Sequence, residues 1–226
     1  MMLLVAGDSI LKGIQIDGQS GQYIVRNTID YEKASAMKTK NISSFGCTVS
    51  KGLRNISYAL VRTQEKAIVL MDFGGNDCDY EWRKVSEYPD LCHIPRTPMP
   101  EFQRMYGKLI EKVREYDCIP VVTTLPPIDS ERYFNWISIL DGVCKDALMQ
   151  WMGTPDFLGE WQSYYSEAAS YIANRYNADL IDLREHFRKS GQDNLFCQDG
   201  IHPNDNGQRL IEQCLSDYFK HLTTQS

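Results

Sequence analysis

The stretch that decides the fold is AIVLMDFGGND, residues 67–77. Its first part, 67–73, is rich in aliphatic side chains and shows no alternation of apolar and polar positions. This pattern is typical of a strand in a parallel sheet whose two faces are both covered by helices. The Gly-Gly-Asn-Asp that follows indicates a turn at the end of the strand. We therefore predict a buried parallel strand that delivers Asn76 to one edge of a sheet.

Further stretches predict the rest of the sheet and the helices that cover it. Apolar runs predict strands at 3–6, in part of 40–43, at 119–124 and at 178–183. Apolar side chains three or four positions apart predict helices at 102–116, 161–176 and 211–222. This alternation predicts an α/β fold, a three-layer α/β/α sandwich around a mostly parallel, five-stranded sheet with right-handed crossovers.

The order of these elements also predicts where a ligand binds. In sheets of this kind the site lies outside the carboxyl ends of the strands. Ser9 directly follows the strand at 3–6, and Asn76 follows the strand at 67–73. We therefore expect these two side chains to reach the same edge.

The chain contains no internal repeat, low-complexity tract or Gly/Ser linker, so we predict a single domain over residues 1–226. Two stretches, 78–99 and 126–159, fit no strand–helix unit and are rich in aromatic residues and proline. Long loops in compact domains are usually functional, so we predict that both are insertions that line the substrate pocket. The aromatic run at 133–136 is open to two interpretations, packing within the protein or contact with substrate.

Composition excludes several classes of function. The net charge of −6 argues against a nucleic-acid partner and against attraction to anionic membrane surfaces. No apolar run approaches the ~20 residues of a membrane span, and the N-terminus lacks a basic leader. The seven cysteines are odd in number and contain no C-x-x-C pair, which favours reduced thiols and a cytoplasmic protein. The sequence makes no prediction about the oligomeric state.

Four short blocks carry candidate chemistry. They are Gly-Asp-Ser-Ile at 7–10, Ser-Phe-Gly-Cys at 44–47, Gly-Gly-Asn-Asp at 74–77 and Asp-Gly-Ile-His-Pro at 199–203. With these blocks in this order, the chain resembles the SGNH family of serine hydrolases, also called the GDSL family. The resemblance runs from residue 7 to residue 203 and implies a flavodoxin-like SGNH hydrolase fold. One departure is Ile10, where the family's name-giving motif has leucine.

The first and last blocks predict an activated serine. A serine hydroxyl is a poor nucleophile until a base removes its proton, and His202 is the candidate base for Ser9. Asp199 is expected to hold the imidazole in the productive tautomer and to stabilise the imidazolium. Gly200 permits the tight turn that this spacing needs, and Pro203 stiffens the chain after it. The order Ser, Asp, His with D-x-x-H spacing is also what the family resemblance implies.

The second and third blocks predict an oxyanion hole. Attack on an ester carbonyl creates an oxyanion, and each preorganised donor contributes on the order of 3 kcal/mol. The candidate donors are the backbone N–H groups of Ser9 and Gly46 and the side-chain amide of Asn76. By the resemblance, Gly46 and Asn76 match the family's second and third blocks, and Gly74 matches the glycine two positions before the asparagine.

Neighbouring residues are expected to support these groups. Asp8 and Asp77 are predicted to accept hydrogen bonds from local backbone and to hold their loops. Cys47 and Cys78 lie beside proposed oxyanion donors, but the serine site is complete without a thiol. The remaining histidines, at 93, 186 and 221, have no motif around them. No His/Cys/Asp cluster has the spacing of metal ligands, so we predict neither a metal nor a cofactor.

The pattern therefore predicts a serine ester hydrolase that acts on a small-molecule ester through an acyl-enzyme on Ser9. Small or short-chain acyl esters are the favoured substrates, with O-acetyl groups on carbohydrates as one candidate. The resemblance implies a broader range of lipase, lysophospholipase, thioesterase and carbohydrate esterase activities. An acyltransferase with the same site is one alternative. A non-catalytic binding module on a decayed hydrolase fold is another.

Overall fold

The computed structural model describes residues 1–63, 65–191 and 194–224. The strands are β1 (Met2–Gly7), β2 (Ile14–Ile16), β3 (Tyr23–Val25), β4 (Thr39–Asn41), β5 (Ala67–Asp72), β6 (Ile119–Thr123) and β7 (Asp179–Ile181). The helices are α1 (Ser9–Lys12), α2 (Tyr31–Ser35), α3 (Val49–Val61), α4 (Trp82–Glu87), α5 (Met99–Glu115), α6 (Ser130–Ser138), α7 (Lys145–Met152), α8 (Asp156–Arg175), α9 (Leu183–Lys189) and α10 (Asp205–Thr224).

Five of the strands form a parallel sheet in the order β4-β1-β5-β6-β7, which confirms the predicted fold class. All five correspond to predicted strands, although β4 begins and ends earlier than 40–43. In the register between β1 and β5, Gly7 lies opposite Asp72. The chain segments that follow these two strands therefore leave the sheet side by side.

The central strand β5 explains why its sequence lacks alternation. Val69 and Met71 pack into one apolar cluster, which includes residues of α3, α5 and α8. Ile68 and Leu70 point to the other face, into a cluster that includes residues of α2, α9 and α10. All four side chains are fully buried. Burial of each such side chain stabilises the fold by about 1.5 to 3 kcal/mol, so both faces select for aliphatic residues.

The three predicted helices are present as α5, α8 and α10, and α8 begins five residues before the predicted stripe at 161. Helix α3 and the two-stranded antiparallel hairpin of β2 and β3 were not predicted. Residues 17–22 connect these short strands and contain Asp17, Gly18, Ser20 and Gly21, a turn signal that could have revealed the hairpin.

The two stretches interpreted as long loops contain helices, and that part of the prediction was wrong. Helix α4 lies within 78–99, while α6, α7 and the start of α8 lie within 126–159. Their apolar faces pack on one another in a third cluster, which includes Trp82, Phe134, Ile137, Leu148 and Leu158. These helices are short, and proline and aromatic residues interrupt the stripe that a longer helix would show.

None of the described helices is both long and apolar enough to cross a membrane. All seven cysteines are free thiols, and five of them are buried.

Candidate active site

Ser9 is placed at the carboxyl edge of the sheet by the turn from β1 into α1. Asp8 caps this helix, because its Oδ1 accepts a hydrogen bond of 2.9 Å from the backbone N–H of Ile10. Ser9 is the first helical residue, so its own N–H has no partner within the helix. The side chain is largely buried but lines an open cavity.

Asp199 and His202 form a hydrogen-bonded pair at the same edge of the sheet. The distance between Asp199 Oδ2 and His202 Nδ1 is 2.5 Å. Asp199 Oδ1 also accepts hydrogen bonds from the backbone N–H groups of Ile201 and His202, each at 3.2 Å. The carboxylate thus binds one edge of the ring and leaves the Nε2 edge for another partner.

Gly200 makes this turn possible. Its φ is +74°, a region that residues with a side chain rarely adopt. A Cβ at this position would lie only 2.6 Å from the carbonyl oxygen of Asp129. The Gly200 carbonyl in turn accepts a hydrogen bond from Asp129 N at 2.8 Å, which ties the turn to the segment before α6.

Ser9 and His202 line the same cavity, and so do Gly46 and Asn76. Within the described residues, however, Ser9 Oγ makes no hydrogen bond to the imidazole. Hydrogen bonds between a nucleophile and its base are often loose in the absence of substrate. The structure therefore places the predicted serine and histidine in one cavity, without a hydrogen bond between them.

The predicted oxyanion donors lie close to one another. Gly46 has a φ of +66°, and a Cβ built on it would lie 4.0 Å from Asn76 Oδ1. Asn76 Nδ2 donates a hydrogen bond of 2.8 Å to Asp8 Oδ2, so Asp8 holds the amide as well as the start of α1. Gly74 has a φ of +138°, and a Cβ there would lie 2.9 Å from Leu125 Cδ1.

Asp77 has a different partner from the one expected. Instead of local backbone, its two carboxylate oxygens accept from the backbone N–H of Val49, each at 3.1 Å. Val49 begins α3, and the side chain of the preceding Thr48 makes no capping hydrogen bond. Asp77 therefore caps a distant helix and joins the loop after β5 to the loop that carries Gly46.

Three buried carboxyl groups lie beneath the site. Burial raises the pKa of Asp8 to about 6 and that of Asp77 to about 7, against the hydrogen bonds that they accept. Burial also raises the pKa of Asp72 well above its usual range, and the charge of Asp8 adds to this effect. Thr123 donates to Asp72 Oδ1 at 2.9 Å, whereas Asp72 Oδ2 is buried without a hydrogen-bond partner.

An aromatic rim, formed by Tyr23, Phe45 and Trp136, lines the cavity beside the imidazole of His202. The ring centroids of Tyr23 and His202 are 5.2 Å apart, and Phe45 stacks on His202 at 6.2 Å with an interplanar angle of 11°. Trp136 Nε1 donates to the hydroxyl of Tyr23 at 2.9 Å. Of these three residues, the sequence pattern indicated only Trp136, which belongs to the aromatic run at 133–136. Tyr23 belongs to the unpredicted hairpin, and Phe45 has no distinguishing pattern.

Behind the serine, the cavity extends between α4, α6 and α8 and encloses about 350 Å³. Its walls include residues of both stretches that were predicted to line a pocket, among them Tyr80, Trp82, Ile137 and Leu158. Most of the lining side chains are apolar or aromatic. The arrangement is therefore a polar edge, which carries the candidate catalytic residues, that opens into a largely apolar chamber.

The other titratable residues singled out in the sequence are not arranged for chemistry. Burial raises the pKa of the Cys47 thiol, and it raises that of Cys78 far more, which disfavours the nucleophilic thiolate. His93 and His186 contact backbone carbonyl oxygens on the surface, at Tyr88 and Asp182. Within the ranges that the structure describes, no three His, Cys, Asp or Glu side chains are grouped to hold a metal ion.

Comparison with protein families gives a match over nearly the whole chain. Residues 5–210 match the family described as GDSL-like Lipase/Acylhydrolase. This region contains all four blocks. The comparison with curated proteins gives no match.

Solved structures share the fold at low sequence identity. The lipase/acylhydrolase from Enterococcus faecalis is 17% identical, with a TM-score of 0.68 over 98% of this chain and 96% of that one. The acetyl xylan esterase AlAXEase is 19% identical, with a TM-score of 0.63 over 96% and 99% of the two chains. The psychrotrophic esterase EstA from Pseudoalteromonas sp. is 16% identical, with a TM-score of 0.61 over 99% and 98%. At such identities the likeness is one of fold.

Proposed function

Because the chain belongs to the GDSL-like lipase/acylhydrolase family, we propose that it is a serine ester hydrolase that works through an acyl-enzyme on Ser9. The observation that carries this proposal is the 2.5 Å contact between Asp199 Oδ2 and His202 Nδ1 at the cavity that Ser9 lines. A carboxylate on Nδ1 fixes the tautomer whose Nε2 can accept a proton.

The proposed reaction has two steps. In the first, His202 Nε2 takes the proton of Ser9 Oγ as the oxygen attacks the ester carbonyl, and the alcohol then leaves with that proton. In the second, His202 removes a proton from water, which attacks the acyl carbonyl, and His202 returns that proton to Ser9 Oγ as the acid leaves. The Ser9 and Gly46 N–H groups and the Asn76 amide stabilise the oxyanion in both steps.

Direct labelling of the nucleophile tests this proposal. A fluorophosphonate probe is expected to label the wild-type protein on Ser9 and to leave Ser9→Ala unlabelled. Ser163→Ala, which removes a partly exposed serine of α8, is the matched control and is expected to label normally. Absence of labelling, together with no turnover of any p-nitrophenyl ester, would instead favour a non-catalytic binding module.

Small or short-chain acyl esters, including O-acetyl groups on carbohydrates, are one candidate substrate class. The aromatic rim supports this candidate, because Tyr23 and Phe45 are 40% and 51% exposed beside His202 and could stack on a sugar ring. The likeness in fold to an acetyl xylan esterase also supports it. Release of acetate from acetylated xylan, absent in Ser9→Ala, is the test. Lysophospholipase and thioesterase activities use the same site and are tested with the corresponding esters.

An acyltransferase would share the acyl-enzyme and differ in the acceptor. It requires an alcohol that competes with water for the acyl group, so a transfer product must form in proportion to the alcohol supplied. We favour hydrolysis. A hydrolysis rate that does not change with any added alcohol, and no transfer product, is the expected result.

A further inference from the structure

The chamber behind Ser9 has walls in which several polar atoms are bound to other protein groups. Trp82 Nε1 and the Tyr133 hydroxyl both donate to Asp79 Oδ1, at 2.9 and 2.8 Å. Trp161 Nε1 donates to the carbonyl oxygen of Cys78 at 2.8 Å. With their polar ends held in this way, the three aromatic side chains present mainly ring carbons to the chamber.

Two polar side chains in the walls, Asp79 and Gln162, are also engaged. Asp79 Oδ2 forms an ion pair with Arg96 at 3.0 Å, in addition to the two bonds at Oδ1. Gln162 Nε2 donates to Pro126 O at 2.8 Å, and Gln162 Oε1 accepts from Arg184 at 2.6 Å. A sugar or a charged group would find few unpaired partners on this part of the wall, whereas an apolar group leaves these bonds intact.

The volume of the chamber limits the size of the substrate group that can bind in it. The whole cavity, including the edge that carries Ser9 and His202, has a volume of about 350 Å³, which is far more than an acetyl group needs. It lies near the lower end of the roughly 300–1,000 Å³ typical of small-molecule sites, which suits an alkyl chain of roughly six to ten carbons or one aromatic ring. The buried residues Leu125, Ile137 and Leu158 complete apolar walls around it.

We infer that this chamber binds an apolar group of the ester, a medium-length alkyl chain or an aryl ring. The inference rests on the proposed function and narrows it to esters with at least one bulky apolar half. That half is either the acyl chain or the alcohol. If it is the alcohol, the acyl group can still be short.

Two series of ester substrates distinguish whether the acyl chain or the alcohol binds in the chamber. The first runs from ethyl acetate to ethyl dodecanoate, and the second from methyl acetate to octyl acetate, with acid release measured by titration. The series whose variable group enters the chamber is expected to gain about fourfold in kcat/KM per methylene, equivalent to about 0.8 kcal/mol each, until the chamber is full. A rise in the first series identifies the acyl chain, and a rise in the second identifies the alcohol. Hydrolysis that is flat in both series overturns the inference and leaves the proposed function intact.

Substitutions of wall residues test whether the dependence of kcat/KM on chain length arises in the chamber. Leu158→Ala is expected to move the optimum to longer groups, and Ile128→Trp is expected to move it to shorter ones. Leu148→Ala is the matched control, because Leu148 belongs to the same apolar cluster but does not line the chamber. An unchanged optimum in both wall variants contradicts the inference.

Binding without catalysis provides a separate measurement. Ser9→Ala is expected to bind octanoic acid or 1-octanol in calorimetry, and to bind acetate and ethanol at least a hundredfold more weakly. Binding by a protein whose Ser9 is inert would mean that the proposed function fails while the apolar site stands. If neither octanoic acid nor 1-octanol binds, the inference is overturned, whether or not esters are hydrolysed.

Discussion

The side-chain amide of Asn76 donates a hydrogen bond of 2.8 Å to Asp8 Oδ2, across 68 positions of sequence. Asp8 precedes the proposed nucleophile, and its other oxygen caps the helix that Ser9 begins. One carboxylate therefore positions two of the proposed oxyanion donors, the Ser9 N–H and the Asn76 amide. The second amide N–H of Asn76 makes no hydrogen bond within the described residues and is therefore available for the proposed oxyanion.

Asp8→Ala is therefore expected to lower kcat by about tenfold to a hundredfold with little change in KM, because a misplaced donor fails mainly in the transition state. Asp8→Asn keeps an acceptor for only one of these two hydrogen bonds and turns its NH₂ group toward the other donor, so it is expected to recover only part of the loss. Steady-state kinetics of both variants on one ester provides the measurement. If Asp8→Ala leaves kcat unchanged, Asp8 does not act through these hydrogen bonds.

Asn76→Ala removes the proposed oxyanion donor itself. We expect kcat to fall by about 10²- to 10³-fold, the effect of deleting one such donor. Asn174→Ala, on the exposed surface of α8, is the control for loss of an amide and is expected to be as active as wild type. A decrease of less than tenfold in kcat would remove Asn76 from the oxyanion hole.

Asp199→Asn is expected to preserve the turn and lose the activity. An amide can accept from the Ile201 and His202 N–H groups, but its NH₂ group can also face Nδ1 and favour the wrong tautomer. Loss of the orienting carboxylate lowers kcat by about 10³- to 10⁴-fold in triads of this kind. Kinetics measured beside circular dichroism separates this effect from unfolding. Activity within tenfold of wild type would show that Asp199 has no such role.

Gly46→Ala tests the need for a left-handed residue in the oxyanion loop. The φ of +66° costs a residue with a Cβ about 1 to 2 kcal/mol, although the space itself is open. Gly191→Ala is the matched control, with a φ of +75° and no atom within 4 Å of its Cβ. Both variants are expected to lower the free energy of unfolding to a similar extent, and only Gly46→Ala is expected to lower kcat. Equal activity of the two variants contradicts the role of Gly46.

Asp72→Asn tests the buried carboxyl groups through the pH dependence of stability. Burial raises the pKa of Asp72 well above its usual range, so the folded state binds a proton that the unfolded state releases. Wild-type stability from this group is complete below the unfolded pKa and is lost as pH rises through the folded pKa. Asparagine does not titrate, so the variant is expected to gain about 1 to 3 kcal/mol over wild type at about pH 8 and less at about pH 5.

Urea unfolding at the two pH values measures this difference. Asp156→Asn, an exposed aspartate at the start of α8, is the control and is expected to show no comparable gain. A gain for Asp72→Asn that is larger at the acid pH than at the alkaline pH would contradict the assignment.

The sequence alone predicted the features that depend on nearby residues. Aliphatic runs without alternation predicted the parallel strands, because burial on both faces acts on each position of a strand independently. The regular stripes of α5 and α10 predicted those helices in the same way. The contact between Asp199 and His202 spans three positions, so one tight turn at Gly200 is sufficient to make it.

The tertiary structure decided the contacts between distant parts of the chain. The bond from Asn76 to Asp8 follows from the register that sets β1 beside β5, and the cap of α3 by Asp77 follows from packing of two loops. Tyr23 reaches His202 only because a hairpin folds over the sheet edge. The helices within 78–99 and 126–159 are too short to reveal themselves by periodicity, and their mutual burial creates the apolar chamber. Sequence patterns report interactions between residues a few positions apart. The side chains and walls of the site come from distant parts of the chain, so only tertiary packing brings them together.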